Sequence, residues 1–140
     1  MKPRISVITL GVADLERSLV FYRDALGLDT EGIIGAELEG YAVVFFELEG
    51  GLILALWPSR DLANDAKVPQ LQGNSSAFSI GHNVRTREEV DEVIEQAKVA
   101  GAEITDSPSD RVWGGYSGYF KDLDGRLWDV VWNPQLLPES

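Results

Sequence analysis

Apolar residues change their spacing several times along the chain, and the changes mark elements. Residues 5–12 form a β-branched and aliphatic run of strand length. Asp14 follows as a helix N-cap, its carboxylate able to accept from first-turn amides. Leu15, Ser18, Leu19, Tyr22 and Leu26 then recur at helical spacing, and Gly27 stands where a helix ends in a left-handed residue. A weaker strand is expected over residues 33–38. Residues 41–48 and 52–57 read as two further strands joined at Glu49-Gly50-Gly51.

The second half repeats this order. Residues 78–84 read as a strand, and Thr86 and Glu89 have the spacing of a reciprocal capping box. Val90, Val93, Ile94 and Ala97 make a helical stripe that Gly101 terminates. Glu103-Ile104 is a weak strand, and residues 116–121 and 127–132 form a hairpin turning at Asp124-Gly125. An offset of 72 superposes Ile8 on Ile80 and Val12 on Val84. An offset of 75 in the hairpins places Tyr41 on Tyr116, Phe45 on Phe120, Leu48 on Leu123, Gly50 on Gly125, Leu52 on Leu127 and Trp57 on Trp132. The repeat implies an internal duplication.

Pro58, Ser59, Pro69, Gly73, Asn74, Ser75 and Ser76 mark residues 58–76 as loop or linker by composition. We therefore expect one domain over residues 1–140, with module one at about 1–60, a linker at about 61–76 and module two at about 77–135. Each half, at about 65 residues, is marginal alone.

Composition narrows the chemistry. Without cysteine the chain has no disulfide, thiolate metal site or cysteine nucleophile. No apolar signal-peptide region follows Met1, and the longest apolar runs are of strand length, so a soluble, cytoplasmic protein with no membrane partner is expected. A net charge of −11 without a basic stripe argues against nucleic acid.

His82 is the single histidine, which excludes histidine-cluster mechanisms. Its odd offset from Ser79 puts it on the strand face toward the helix layer, as a structural histidine. Asp129 sits in an apolar strand between Trp128 and Val130, where burying it unpaired is expensive. It either pairs, with Arg111 or Arg126, or serves a ligand as general base or counter-ion. Around it, Val112-Trp113-Gly114-Gly115-Tyr116-Ser117-Gly118-Tyr119 interleaves stacking faces with glycines, which suits a flat organic ligand. Trp57 and Trp132 are expected to end equivalent strands, at the core or a cavity rim.

Two stretches carry a family resemblance. The run from Ile8 through Val12, Asp14 and Ser18 to Phe21-Tyr22-Arg23 and Leu26-Gly27-Leu28 resembles the opening strand and helix of a vicinal-oxygen-chelate module. Residues 119–129 resemble that superfamily's final hairpin, F-x-D-P-D-G-x-x-x-E, with Leu123 in place of proline. The superfamily includes glyoxalase I, bleomycin-resistance proteins and extradiol dioxygenases. The resemblance implies an α+β fold of two tandem βαβββ modules, whose curled mixed sheets enclose a cavity. Metal-dependent members place one ligand on the first and last strands of each module. Those positions fall here on Val7, Ala55 (or Leu54), Ser79 and Asp129. One carboxylate cannot hold a transition metal that wants three or four donors.

The resulting expectation is a small-molecule binding or sequestering protein of the bleomycin-resistance type, a homodimer with no metal or other cofactor. Its ligand, a small organic molecule of cationic or aromatic character, would meet Trp57, Trp113, Tyr116 and Asp129, with Asp129 the one catalytic candidate. The alternatives are an isomerase, lyase or dioxygenase using a divalent metal held by an unrecognised site, and a non-catalytic interaction domain.

Overall fold

In the computed structural model, which describes residues 1–70 and 78–140, the chain forms two compact units, Met1–Gln72 and Gly73–Ser140. The first runs β1 (Val7–Val12), helix α1 (Leu15–Leu19), β2 (Thr30–Ile34), β3 (Val43–Glu47), β4 (Ile53–Pro58) and α2 (Ser59–Ala66). Its sheet has the order β1-β4-β3-β2, with β1 parallel to β4 and the other pairs antiparallel. Asp14 caps α1 by accepting from the Arg17 amide at 3.1 Å. A π-helical stretch, Val20–Ala25, prolongs the helix, and Gly27, at φ +80°, ends it.

This extended helix covers one face of the sheet. Leu19, Phe21 and Tyr22 are buried with Leu10, Val12, Val44, Phe46, Leu54 and Leu56, and the Tyr22 and Phe46 rings meet at 6.0 Å. Each large apolar side chain buried here contributes about 1.5–3 kcal/mol. Strand alternation sends Val7, Thr9, Gly11, Phe45, Glu47, Ala55 and Trp57 to the opposite, far face.

The second unit runs β5 (Ser79–Val84), α3 (Arg87–Val99), β6 (Glu103–Asp110), β7 (Tyr116–Lys121) and β8 (Leu127–Trp132), with sheet order β5-β8-β7-β6. Thr86 accepts from the Glu89 amide at 3.1 Å, while the Glu89 carboxylate takes the Arg85 amide instead of closing the box on Thr86. Val90, Ile94 and Ala97 on α3 are buried with Phe120, Trp128 and Val130. At the β7–β8 turn the buried Asp122 carboxylate accepts from the amides of Asp124 and Arg126 at 2.9 and 2.8 Å. Asp122 of the hairpin motif thus acts by closing the turn.

Two tandem βαβββ modules are as the sequence implies, but four details differ. The segment read as loop from Pro58 opens with α2: Pro58 precedes the first helical residue, where its missing amide interrupts no helical hydrogen bond. The rest of that expected linker lies partly in residues 71–77, outside those described. The weak strand expected at 33–38 lies earlier, at Thr30–Ile34, and the one at Glu103-Ile104 extends to Asp110 through two register shifts.

The fourth difference concerns the repeat. Val7 pairs with Ile53 and Ser79 with Leu127 in the two parallel ladders. The offset of 72 therefore holds for β1 and β5, but β4 maps onto β8 with an offset of 74, not 75. The hairpins agree: Leu48 N donates to Leu52 O and Asp122 N to Arg126 O, both at 2.9 Å. Phe46 thus matches Phe120, Gly51 matches Gly125, and Trp132 matches Pro58 rather than Trp57. A one-residue slip exchanges the faces of every side chain. Phe45 is 41% exposed on the far face of its sheet, whereas Phe120 is 2% exposed on the helix face of its own.

Candidate functional site

In β8, Trp128 and Val130 point to the buried side under α3, so Asp129 and Val131 point to the far face. Asp129 stands opposite Gly81 on β5 and Tyr119 on β7. Gly81 has no side chain to cover it, and a Cβ built there would meet nothing within 4 Å. The Asp129 Oδ1 atom is nevertheless buried and has no hydrogen-bond partner. Burial pushes the Asp129 carboxyl above the usual carboxylate range, and nearby Arg111 pulls it part of the way back.

Arg111 follows the last residue of β6 and turns across β7. Its Nε donates to Ser117 Oγ at 2.8 Å and one terminal nitrogen to Ser117 O at 2.7 Å. The other terminal nitrogen pairs with Asp106 at 3.0 Å. Ser117 is 3% exposed, so its hydroxyl needs this donor. The guanidinium also lies 6.0 Å from the Tyr119 ring centroid. These bonds tie Arg111 to Asp106 and Ser117. Among the described residues neither Arg111 nor Arg126 closes an ion pair with Asp129, the structural role the sequence leaves open for it.

The other sequence candidates lie elsewhere. Tyr116 shares the helix face, where its hydroxyl donates to Asp91 at 2.6 Å and Arg87 lies 4.5 Å from its ring. The hydrogen bond to the Asp91 carboxylate raises the Tyr116 pKa. Tyr116 and Asp129 therefore face opposite ways. Trp113 sits in the β6–β7 turn, 53% exposed, with its ring folded over Gly115, where any Cβ would overlap it. Trp57 belongs to the first unit, where Nε1 donates to Gly40 O at 2.9 Å and the ring lies 6.1 Å from Tyr41. Both rings line a groove of about 440 Å³ beside α2. His82 pairs with Val130 on the side of Ile80 and Val84, away from Asp129, as alternation requires.

Sequence reasoning finds Asp129 but gives Arg111 only the role of salt-bridge partner, and it takes Tyr119 only as one member of the aromatic segment. Tyr119 is accessible to it: counting alternate residues back from Lys121 puts Ser117 and Tyr119 on one face. Arg111 is not, because its position depends on the irregular register of β6.

The metal positions implied by the resemblance are also resolved. The observed register matches Ala55, not Leu54, to Asp129, since both follow the first residue of their strand by two. Val7 and Ala55 offer no donor atom and Ser79 a poor one. Among the described residues no group of three His, Asp or Glu side chains is placed to hold a metal ion. These residues do not fit the divalent ion of the metal-dependent relatives.

Comparison with known proteins agrees with this architecture. A sequence model of the glyoxalase/bleomycin resistance protein/dioxygenase superfamily matches residues 4–130. A glyoxalase-related enzyme from Fulvimarina pelagi superposes with a TM-score of 0.81 at 30% identity, covering 94% of this chain and 89% of that one. A fosfomycin resistance protein from Listeria monocytogenes gives 0.70 at 25% identity, with 95% of each chain covered. A lactoylglutathione lyase from Agrobacterium tumefaciens gives 0.70 at 22% identity over 96% and 97% of the chains, a likeness of fold alone. No curated protein matches the sequence.

Proposed function

The chain belongs to the glyoxalase/bleomycin resistance protein/dioxygenase superfamily, and on that premise we propose that it is a metal-independent protein that binds or sequesters a small organic molecule. The ligand meets the far face of the second sheet, where Asp129 serves as hydrogen-bond acceptor and counter-ion and Tyr119 offers a ring face. One observation carries this reading: the Asp129 Oδ1 atom is buried with no partner. Leaving a buried polar group unsatisfied costs about 1–3 kcal/mol, a cost that a ligand donor removes. Arg111 is already paired with Asp106, so a cationic ligand completes the charge balance. We further propose a homodimer acting in the cytoplasm. No helix among the described residues is long and apolar enough to cross a membrane.

Three measurements test this. Protein purified without added metal is expected to hold far less than one equivalent of nickel, zinc, iron or manganese. Near-stoichiometric metal, lost together with thermal stability on chelation, contradicts the proposal. Proflavine, a planar cation, is expected to quench tryptophan fluorescence, and Asp129→Asn is expected to weaken its binding by about 1–3 kcal/mol. Light scattering at micromolar concentration should give twice the 15.4 kDa chain mass; a monomer mass contradicts the dimer.

A second reading has one observation in its favour. The upward shift of the Asp129 carboxyl moves it toward the range where a general base works. As an isomerase or lyase the protein would use this residue alone to take a proton from carbon. Turnover that survives chelation and disappears in Asp129→Asn would establish that reading over simple binding.

A further inference from the structure

Arg111 lies close enough to Asp129 to act on it, yet the two do not pair. Ser117, which carries the guanidinium, stands opposite Val131 in the β7–β8 ladder, and Asp129 is its diagonal neighbour on the same face. Such neighbours are about 7–8 Å apart, within reach of a long side chain. The downward pull of Arg111 on the Asp129 carboxyl reflects that proximity. A buried carboxylate oxygen left unpartnered near a guanidinium is unfavourable, and turning the arginine toward it would satisfy both groups. Something holds the arginine away.

The restraint comes from the edge of the sheet. β6 meets β7 with two register shifts, between Ile104 and Asp106 and between Asp106 and Ser109. Ile104 pairs with Phe120, so unbroken pairing would set Thr105 against Tyr119 and turn Asp106 to the helix face. The first shift sets Asp106 against Tyr119 instead, on the face of Asp129. Gly118 admits this path, because a Cβ there would sit 3.0 Å from Asp106 O and from Pro108 N. Asp106 Oδ2 then takes one terminal nitrogen of Arg111. Ser117 takes Nε on its hydroxyl and the other terminal nitrogen on its carbonyl. Bonds on all three nitrogens fix the plane of the guanidinium.

We infer that Asp106 and Ser117 are positioning residues that hold Arg111 off Asp129 and so keep the Asp129 Oδ1 atom open to a ligand. The inference rests on the reading of Asp129 as a ligand site, and adds the reason why that site is not closed from within. A ligand must bring its own donor and positive charge, because the nearest arginine is committed elsewhere. Without the clamp, Arg111 takes the place of the ligand. A purely structural arginine, one that only braces β6 against β7, responds differently. Released from Asp106 and Ser117, it turns to water and leaves Asp129 with less positive charge nearby.

The two cases move the Asp129 carboxyl pKa in opposite directions. The experiment compares the full chain with its Asp106→Asn, Ser117→Ala and double variants, by carbon-13 titration of that carboxyl group and by proflavine binding. The double variant is expected to titrate lower than the parent and to bind proflavine about tenfold more weakly. Replacing Asp106 also removes a neighbouring negative charge, which lowers the pKa by itself, so each substitution is repeated on Arg111→Ala. The fall should shrink there, since no arginine remains to close on Asp129. Ser117→Ala changes no charge and should give a smaller fall in the same direction. Asp106 is half exposed, so Asp106→Asn retains the fold even if loss of the buried Ser117 hydroxyl does not. A pKa that rises, stays unchanged, or falls equally without Arg111 overturns the inference. So does undiminished proflavine binding in a double variant whose pKa falls. A parent that binds no proflavine, with the pKa falling as expected, refutes the ligand site and leaves the clamp standing.

Discussion

The two units use one backbone plan to carry two different surfaces. On the helix faces, equivalent positions stay apolar and buried: Phe46 and Phe120, Leu54 and Trp128, Leu56 and Val130. Each unit must bury that face to hold its helix, so substitution there is restricted. On the far faces the equivalent row reads Thr9, Ala55 and Phe45 in the first unit, but Gly81, Asp129 and Tyr119 in the second. The first presents apolar surface rimmed by acids. The second presents a carboxylate beside a tied-down arginine. A duplicated module can therefore keep its stability on one face and vary its chemistry on the other.

The sharpest way to break this comparison is to probe the two faces by mutation. Phe46→Ala and Phe120→Ala should each cost about 3–5 kcal/mol in denaturant unfolding, as large-to-small changes in a packed core do. Phe45→Ala should cost under about 1 kcal/mol, because its ring already meets water. If Phe45→Ala proves as costly as Phe120→Ala, then the longer offset of 75 is right and the faces are misassigned.

Arg111→Ala comes next in size. It removes three hydrogen bonds and strands the Ser117 hydroxyl, a loss of about 1.5–3 kcal/mol. It should also raise the Asp129 pKa further, since the nearby positive charge that pulls it down is gone. Carbon-13 titration of the carboxyl group reads that shift, and a fall in pKa would contradict the arrangement. A smaller effect tests the repeat itself. Gly51 and Gly125 hold equivalent turns at φ +85° and +83°, so alanine at either should cost about 1 kcal/mol. Markedly unequal costs would show that the two turns are not equivalent.

Much of this is legible in the sequence, for local reasons. Asp14, Thr86, Gly27 and Gly101 act at helix ends through their own side chains or dihedrals, so their roles travel with their identity. The face of Asp129 is equally readable, because Trp128 and Val130 beside it are apolar. The hairpin offset is misread when Tyr41, Phe45 and Trp57 are aligned with Tyr116, Phe120 and Trp132 by residue type. Burial selects for face, and aromatics occur on both faces here. The Arg111 network depends on shifts in a polar edge strand whose sequence, Glu103 to Asp110, has no alternation to reveal its register.

Among these substitutions the smallest expected change in stability bears most directly on what Asp129 is for. Its folded pKa is raised, so the native state binds the proton more tightly than the unfolded chain. Stability is therefore lost as pH rises from the ordinary carboxylate range through the raised value. The Asp129→Asn variant has no carboxyl group at this position and so no such dependence. The decisive measurement is the unfolding free energy of Asp129→Asn relative to the parent, as a function of pH. A ligand-binding carboxylate predicts a variant as stable as the parent at neutral pH, or more stable by up to about 1 kcal/mol. That advantage should vanish as pH falls below the ordinary carboxylate range, and proflavine binding should be weakened. A variant clearly less stable at neutral pH, with binding untouched, would make Asp129 a structural residue and contradict the proposed site.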